Sequence, residues 1–588
     1  MQPVDYTTLA ALCHDLQKDW LPARVEQVHQ SDRHTLALAL RTLEKRGWLT
    51  LSWHPQAARL VLSAPPPKEP DTFTLSEQLR HQLKGLALTV VQMAQPWERV
   101  VNLQFGPRPG EAPQFHLYGE IMGKYSNLIL TDGDNQIITV AHQVGAQQSR
   151  VRTVQTGQPY VPPPALLNEK PSLAEFLPSW QERVGLIPGP LGKQLLKTYR
   201  GLSPALVGQL LEGAGLDPNR ETSSLGVEEW SALFAVWREW LTALDRGTFC
   251  VHAWGQGYRV FALTGTETAP AENCHPFIDH YYAQRLGQER FSQLRHQLRQ
   301  TLKSHQTKLS QKQSVFQTRL AEAEDADGAR RRADLLMAHL HLARPVLTQA
   351  TLADFETGET VVIPLQPDKS WLQNAQSLYK QHQKLKRAQE KVLPLLEAVT
   401  TELAYLNQIG ISLDQLEDET SAQERQILED IRDELNEEGY VTLSHPRRRN
   451  KETVFNGSIF LSPSGYELWV GRNNRQNDLL TFRLAGDYDL WFHTQEIPGS
   501  HVLLRLPPGA VPEPQDLQSA ADISAYFSQA RQSEQAPVVY TRPKYVFKPK
   551  GAKPGMVVYQ RETILWGKPA NLIAYPKKGD LGGIGKIL

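Results

Sequence analysis

The chain has 588 residues, in which 63 Lys plus Arg balance 63 Asp plus Glu; net charge therefore points to no polyanionic partner, and the length exceeds what one hydrophobic core supports. Three cysteines, Cys13, Cys250 and Cys274, stand far apart without paired spacing, which argues against a disulfide framework or a four-cysteine zinc site and fits a reducing compartment. Mean hydropathy is −0.43, and the acidic N-terminus has no apolar run long enough for a signal or membrane helix, so a soluble, cytoplasmic protein with no membrane partner is expected.

Residues 1–165 mix strand-like runs at Trp48–Trp53, Arg59–Ser63, Arg99–Phe105, Asn127–Thr131 and Gln136–Val140 with helical pieces at Tyr6–Gln17 and Ser76–Lys84, predicting an α+β domain closed by Pro162-Pro163-Pro164. In the next segment, 170–245, two short helices between Leu191 and Leu216 flank Gly201-Leu202-Ser203, with Pro204 at a first helical position and Gly215 after the second helix. This spacing predicts a helix-hairpin-helix. Lys193, Lys197 and Arg200 share one helical face, read first as a solvated face and second as a phosphate contact. Residues 246–283 read as a strand-rich return to the N-terminal lobe.

Two long segments, 284–344 and 372–438, carry near-heptad apolar spacing: Phe291, Leu294, Leu298, Leu302, Leu309, Phe316 and Leu320 in the first; Leu378, Leu385, Ala388, Val392, Leu395, Val399, Leu403 and Leu406 in the second. Residues 285–319 hold eight Lys or Arg against one acid, whereas 411–440 hold two against eleven. At the other end Glu322, Glu324, Asp325 and Asp327 oppose Lys380, Lys384, Lys386, Arg387 and Lys391, and the signs match at both ends only if the arms run antiparallel. Arms of roughly 50 residues would project on the order of 70 Å. Between them, 345–371 reads as a small tip domain with a strand at Thr360–Leu365.

The last segment, 439–588, is a basic α+β domain, since residues 441–588 hold 19 Lys or Arg against 12 Asp or Glu. Leu490, Trp491 and Phe492 start one strand, Pro498-Gly499 signals a turn, and Val502-Leu503-Leu504 makes a second strand. An extended reading of Arg542–Lys550 puts Arg542, Lys544, Lys548 and Lys550 on one face and packs Tyr545 and Phe547 on the other. With Lys553 this is a pattern suited to a phosphate backbone, and Arg447-Arg448-Arg449 with Lys451 forms a second basic cluster. His493 and His501 lack a third ligand at metal-binding spacing, so they read as turn supports or RNA contacts, and no metal or other cofactor is expected.

Three runs together are too particular in order to follow from packing: Asp489 to Arg505, Val470 to Asp478 with Arg472 and Arg475, and Tyr540 to Gly555. They resemble the C-terminal RNA-binding domain of the NFACT family, ribosome quality-control factors of RqcH type with an older fibronectin-binding name. Glu120–Leu130, and Leu372–Gln376 followed by Tyr379 and Lys384-Leu385-Lys386, are also similar to that family. The resemblance implies a glycosylase-like N-terminal domain, a helix-hairpin-helix, a long antiparallel coiled-coil hairpin with a tip domain and a C-terminal RNA-binding domain. It implies further that the protein binds large ribosomal subunits obstructed by peptidyl-tRNA and recruits aminoacyl-tRNA, alanyl in bacterial members, for template-free tailing. No catalytic residue of its own is implied.

By the same resemblance Asp5, Glu98 and Arg99 are tRNA-binding residues, with Glu98 standing where the family has Asp and holding the Arg99 fork toward RNA. Arg472, Arg475, His493, His501, Arg542, Lys544, Lys548, Lys550 and Lys553 are RNA-binding residues of the C-terminal domain. Read alone, Glu98-Arg99 is a surface salt bridge. Two rivals stand beside this reading. One is an extracellular-matrix adhesin. The other is a non-catalytic DNA-binding relative of formamidopyrimidine-DNA glycosylases, which the Glu120–Leu130 segment and hairpin also resemble; their chemistry needs an N-terminal proline amine, and here Gln2 precedes Pro3.

Overall fold

The computed structural model describes residues 1–588 apart from 69, 166, 264–272, 345–346, 418–420, 443–454 and 579–588, and apart from the side chains of 322–324. The basic run Arg447-Arg448-Arg449 with Lys451 lies outside the described residues. The chain divides into two compact units, Met1–Leu286 and Gly287–Leu588.

In the first unit nine strands form one antiparallel sheet: β1 (Ala23–Asp32), β2 (Thr35–Arg41), β3 (Arg46–Ser52), β4 (Arg59–Ser63), β5 (Ala87–Met93), β6 (Val100–Gly106), β7 (Phe115–Glu120), β8 (Asn127–Asp132) and β9 (Ile137–Val140). Their spatial order is β4-β3-β2-β1-β5-β6-β7-β8-β9. Leu51 and Leu60 on one half face Val101, Leu103 and Leu128 on the other across a small apolar cavity, so the sheet curls over its own core. The helix Tyr6–Trp20 closes that core with Leu9, Leu12 and Leu16, all fully buried. The predicted strands and both helices are present, while β1, β2, β5 and β7 are additional.

A second core gathers helices Leu177–Gly185, Leu191–Thr198, Pro204–Gly213 and Val227–Arg246 around Trp180, Trp237 and Trp240. Pro204 opens its helix as expected: Ser203 caps it by accepting from the Leu206 amide at 3.0 Å. The described residues of segment 246–283 have less strand than expected. They contain one short ladder, His252–Trp254 with Gly257–Arg259, and the helix Cys274–Glu324 starts ten residues earlier than the expected arm, burying Cys274, Ile278 and Tyr282 in the first core.

In the second unit this helix pairs with Trp371–Asp414 in antiparallel fashion: Arg299 binds Asp414 at 2.6 Å, Gln306 donates to Asn407 at 2.9 Å, and Gln313 donates to Thr400 at 3.0 Å, the partner number falling as the first rises. The seam uses Val392, Leu396, Val399 and Leu403. Leu395, placed in the seam by heptad counting, is 48% exposed; a four-three-four alternation running through Leu396 replaces it. At the far end Asp325 pairs with Arg332 nearby in the chain, at 2.5 Å, instead of with the opposing lysines. The second arm ends at Asp414, and Ala422–Glu437 is a separate helix that packs Ile427, Ile431 and Leu435 against Tyr405, Ile409 and Leu413. The tip holds the hairpin Gln349–Ala353 with Thr360–Pro364 over Leu336, Trp371 and Ala375. Asn374, in the family-like run, ties the tip loop to the helix by donating to the Gln366 and Lys369 carbonyls and accepting from the Gln366 amide.

The C-terminal sheet has six strands in the order Ser458–Leu461, Glu467–Val470, Val502–Leu504, Leu490–Thr494, Ala536–Thr541 and Thr563–Gly567. The helix Pro514–Tyr526 covers one face.

Candidate RNA-binding sites

The N-terminal candidates meet at the hairpin turn. Asp5 caps the helix Tyr6–Trp20: one carboxylate oxygen accepts from the Thr8 amide at 2.9 Å and the Thr8 hydroxyl at 2.8 Å. Its other oxygen accepts from the Ser203 hydroxyl at 2.7 Å, and the carboxylate is buried. A second link lies close by. The Glu98 amide donates to the Gln95 carbonyl at 3.3 Å, closing a turn with Pro96 second and Trp97 third. Trp97 takes φ of +66°, a conformation that is strained for a bulky residue and has to be held by its surroundings. Its indole is held between Tyr6 and Trp240, at 4.8 and 5.8 Å, and against Gly201, where a Cβ would come within 2.7 Å of the ring.

The turn sends successive side chains apart. Glu98 meets Arg200 of the hairpin at 3.8 Å, which corrects the expectation that it holds the Arg99 fork. Arg99 is half-buried, and among the described residues none hydrogen-bonds to or ion-pairs with its guanidinium. Arg200 is no member of a solvated face: its side chain is 10% exposed, while Lys193 and Lys197 are exposed. Asp5, Glu98 and Arg99 are thus brought together, two acids gripping the hairpin and one cation left over. Sequence reasoning missed Ser203 and Arg200 as their partners, although Ser before Pro is a legible cap signal. Gln2 is sewn in by its side chain, which accepts from the Tyr258 amide at 3.1 Å and donates to the Tyr258 carbonyl at 3.0 Å.

In the C-terminal domain Trp491 pairs with Leu503 across the expected hairpin and is fully buried. Its Nε1 donates to the Thr481 hydroxyl at 3.1 Å, and that hydroxyl meets His501 Nδ1 at 2.7 Å. His493 stacks on Trp491 at 5.7 Å, stands perpendicular to His501 at 5.5 Å, and donates from Nε2 to the Gly499 carbonyl at 3.3 Å. Burial pushes His493 down to about 4 and His501 well below the usual imidazole range, the latter also because His493 is its neighbour. Both rings are neutral internal supports of the turn. Gly499 is gripped in turn by Gln408 of the second arm, whose amide oxygen accepts from its N–H at 2.8 Å and whose amide nitrogen donates to its carbonyl.

The run Val470–Asp478 is a buried polar clamp. Arg472 donates to the Gln415 carbonyl at 2.9 Å and Ser458 at 3.2 Å, pairs with Glu424 at 3.4 Å and lies over Phe527. Asn474 donates to Glu434 at 3.0 Å, and Tyr405 donates to the same oxygen at 2.8 Å. Burial raises the Glu434 carboxyl to about 7, against those two hydrogen bonds. Arg475 pairs with Glu437 at 2.5 Å. The run therefore docks the domain on the helix Ala422–Glu437.

Arg542–Lys550 is not one extended strand. Arg542 follows the strand Ala536–Thr541, Pro543–Tyr545 is a 3-10 turn, and only Val546–Phe547 is again strand; Pro543, with its fixed φ and missing N–H, breaks the ladder. Phe547 is 48% exposed, not packed. Lys548 binds Asp478, and Lys553 lies between Tyr405 and Tyr440 at 4.7 and 4.5 Å with Glu438 at 3.7 Å. Arg542, Lys544 and Lys550 are exposed.

A model of the NFACT N-terminal and middle domains matches residues 5–453, and a model of the NFACT protein RNA binding domain matches residues 456–561. The Rqc2 homolog RqcH of Bacillus subtilis (strain 168) is 30% identical over 574 residues, covering 95% of this chain and 96% of the relative. The protein of the same name from Streptococcus suis (strain 05ZYH33) is 29% identical, covering 92% and 94%. Among solved structures, the C-terminal part of the fibronectin/fibrinogen-binding protein from Streptococcus suis is 30% identical, covering 48% of this chain and 96% of its own, with a TM-score of 0.37. Two matching models in the expected order, together spanning nearly all of the sequence, confirm the resemblance read from its motifs: the chain belongs to the NFACT family.

Proposed function

We propose that the protein is a cytoplasmic ribosome quality-control factor. It binds large ribosomal subunits obstructed by peptidyl-tRNA and recruits aminoacyl-tRNA, alanyl by the family reading, for template-free tailing of the stalled chain. The observation that carries this is the collinear likeness, over nearly the whole length of both chains, to relatives named Rqc2 homolog RqcH. The RNA-binding domain model over residues 456–561 supports RNA as the partner of the C-terminal end.

The division of labour follows from the chemistry of the residues. Asp5 and Glu98 are occupied by Ser203 and Arg200, so they act as positioning residues that fix the turn, and Arg99 is the group that offers hydrogen bonds to tRNA. The protein is a binding factor, with peptide-bond formation left to the ribosome. Sequencing the RNA that copurifies with the tagged protein, alongside its sedimentation with ribosomal subunits, tests this. Large-subunit rRNA with tRNA is expected, in fractions of free large subunits. Recovery of neither RNA contradicts the proposal.

A further inference from the structure

The segment after Thr541 leaves the six-stranded sheet and makes a small ladder, Val546–Phe547 against Val558–Tyr559. Its inner side is accounted for by packing: Val546 and Tyr559 lie against the Trp491 core. Its outer side is not. Phe547 and Val558 face each other across the ladder and are 48% and 52% exposed. The Gln560 amide donates to the Tyr545 carbonyl at 3.0 Å, which ties the end of the 3-10 turn to the ladder, and Tyr545 is half-buried two residues before the exposed Phe547. Lys544 and Arg561 stand 5.2 and 4.8 Å from the Tyr545 ring centre, with Arg561 also donating to its hydroxyl at 3.1 Å.

Charge says what covers such a face. From Arg542 to Arg561 the sequence has six Lys or Arg and no acid; Glu562 is the first acid after it. Lys548 and Lys553 are neutralised by Asp478 and Glu438. Among the described residues no carboxylate pairs with Arg542, Lys544, Lys550 or Arg561. An exposed ring next to a half-buried one, with unneutralised cations beside them, matches an unpaired nucleic-acid strand, whose bases stack on rings while its phosphates meet the cations. A duplex keeps its base faces inside and offers the rings nothing.

We propose that Tyr545 and Phe547, with Lys544 and Arg561 beside them, form a stacking platform for unpaired RNA bases. The inference rests on the RNA-binding reading of this domain and adds the conformation of the RNA it takes.

The test measures binding of the full chain to a fluorescent 12-nucleotide single-stranded RNA and to an RNA duplex of equal length, over a series of salt concentrations. Phe547→Ala, which removes an exposed ring, should melt as the wild type does, lose about ten-fold affinity for the single strand, and keep its duplex affinity and salt slope. Phe547→Trp should restore the loss. Joint replacement of Lys544 and Lys550 by Ala should instead flatten the salt dependence, by roughly 0.7 in the log–log slope per contact. Unchanged single-strand affinity in both Phe547→Ala and Tyr545→Ala overturns the platform while leaving the RNA-binding reading intact, and so does an equal fall for duplex. Absence of binding to either RNA by the wild type overturns both. Loss of large-subunit binding with oligonucleotide affinity intact assigns the patch to a protein contact and overturns the platform.

Discussion

The Asp5 carboxylate and the Ser203 hydroxyl, 2.7 Å apart, each cap a different helix and bind each other. Two helix N-termini, one closing the large sheet and one from the helical hairpin, thereby share one buried polar link. Asp5→Ala should lower unfolding stability of the first unit by about 1–3 kcal/mol and Ser203→Ala by about 1 kcal/mol. The double variant should lose less than the sum, because the two residues act as one contact. Denaturant titration followed by tryptophan fluorescence reads this; strictly additive losses would separate the two caps.

Glu98 and Arg200 form the second link. Arg200→Ala should reproduce the effect of Glu98→Ala, both loosening the Trp97 turn and reducing tRNA recovery. Glu98→Asp restores the acid usual in the family but withdraws it by one methylene from a partner already 3.8 Å away, so it should recover less than the wild type unless Arg200 follows it. Parallel tRNA yields from the three variants check this, and a normal yield from Arg200→Ala would remove the hairpin from the tRNA account.

The buried clamp on Glu434 sets a pH dependence. Its carboxyl is raised to about 7 in the folded protein from 4.5, so the folded state holds the proton more tightly than the unfolded one. The stabilisation from this group is complete below about pH 4.5 and is lost as pH rises through 7. His493 acts in the opposite sense: lowered to about 4 from 6.5, it costs stability as pH falls through that interval. Glu434→Gln keeps an acceptor for Tyr405 and Asn474 without the charge, and should melt higher than the wild type at pH 8 with little difference at pH 5. A lower melting temperature at pH 8 would contradict the raised carboxyl.

The arms can be shortened, but only to a point. Leu309 and Leu403 lie level in the antiparallel pair, so replacing residues 310–402 by a short Gly/Ser bridge should leave the C-terminal domain folded. Replacing 290–435 should not, because it removes Gln408, Gln415, Glu424 and Glu434, which hold Gly499, Arg472 and Asn474. Thermal melting of both variants distinguishes them. If the shorter arm also leaves subunit affinity unchanged, the distal arm plays no part in docking.

Much of this was legible in the residues, and the reasons for the rest are physical. Apolar periodicity found the long helices, and the Pro498-Gly499 signal found the hairpin after Trp491. Heptad counting misassigned Leu395 because a helix with apolar residues at both 395 and 396 offers two seams, and only packing chooses between them. The Arg542–Lys550 alternation failed at Pro543. The pairing of Glu98 with Arg200 was hidden because it joins residues about a hundred positions apart, through a turn whose left-handed residue is a tryptophan instead of a glycine. His493 and His501 read as turn supports or RNA contacts, and their hydrogen bonds to Gly499 and Thr481 fit the first of these.

The proposed function assigns tRNA to Arg99 and ribosomal RNA to the C-terminal domain. Sequencing RNA copurified with wild type and Arg99→Ala tests it most directly. The guanidinium has no hydrogen-bond or ion-pair partner among the described residues, so the variant should melt as the wild type does and still recover large-subunit rRNA. Losing charge-assisted contacts worth about 1.5–3 kcal/mol lowers tRNA occupancy by roughly one to two orders of magnitude. A folded Arg99→Ala protein that recovers the same tRNA at wild-type yield would contradict the account.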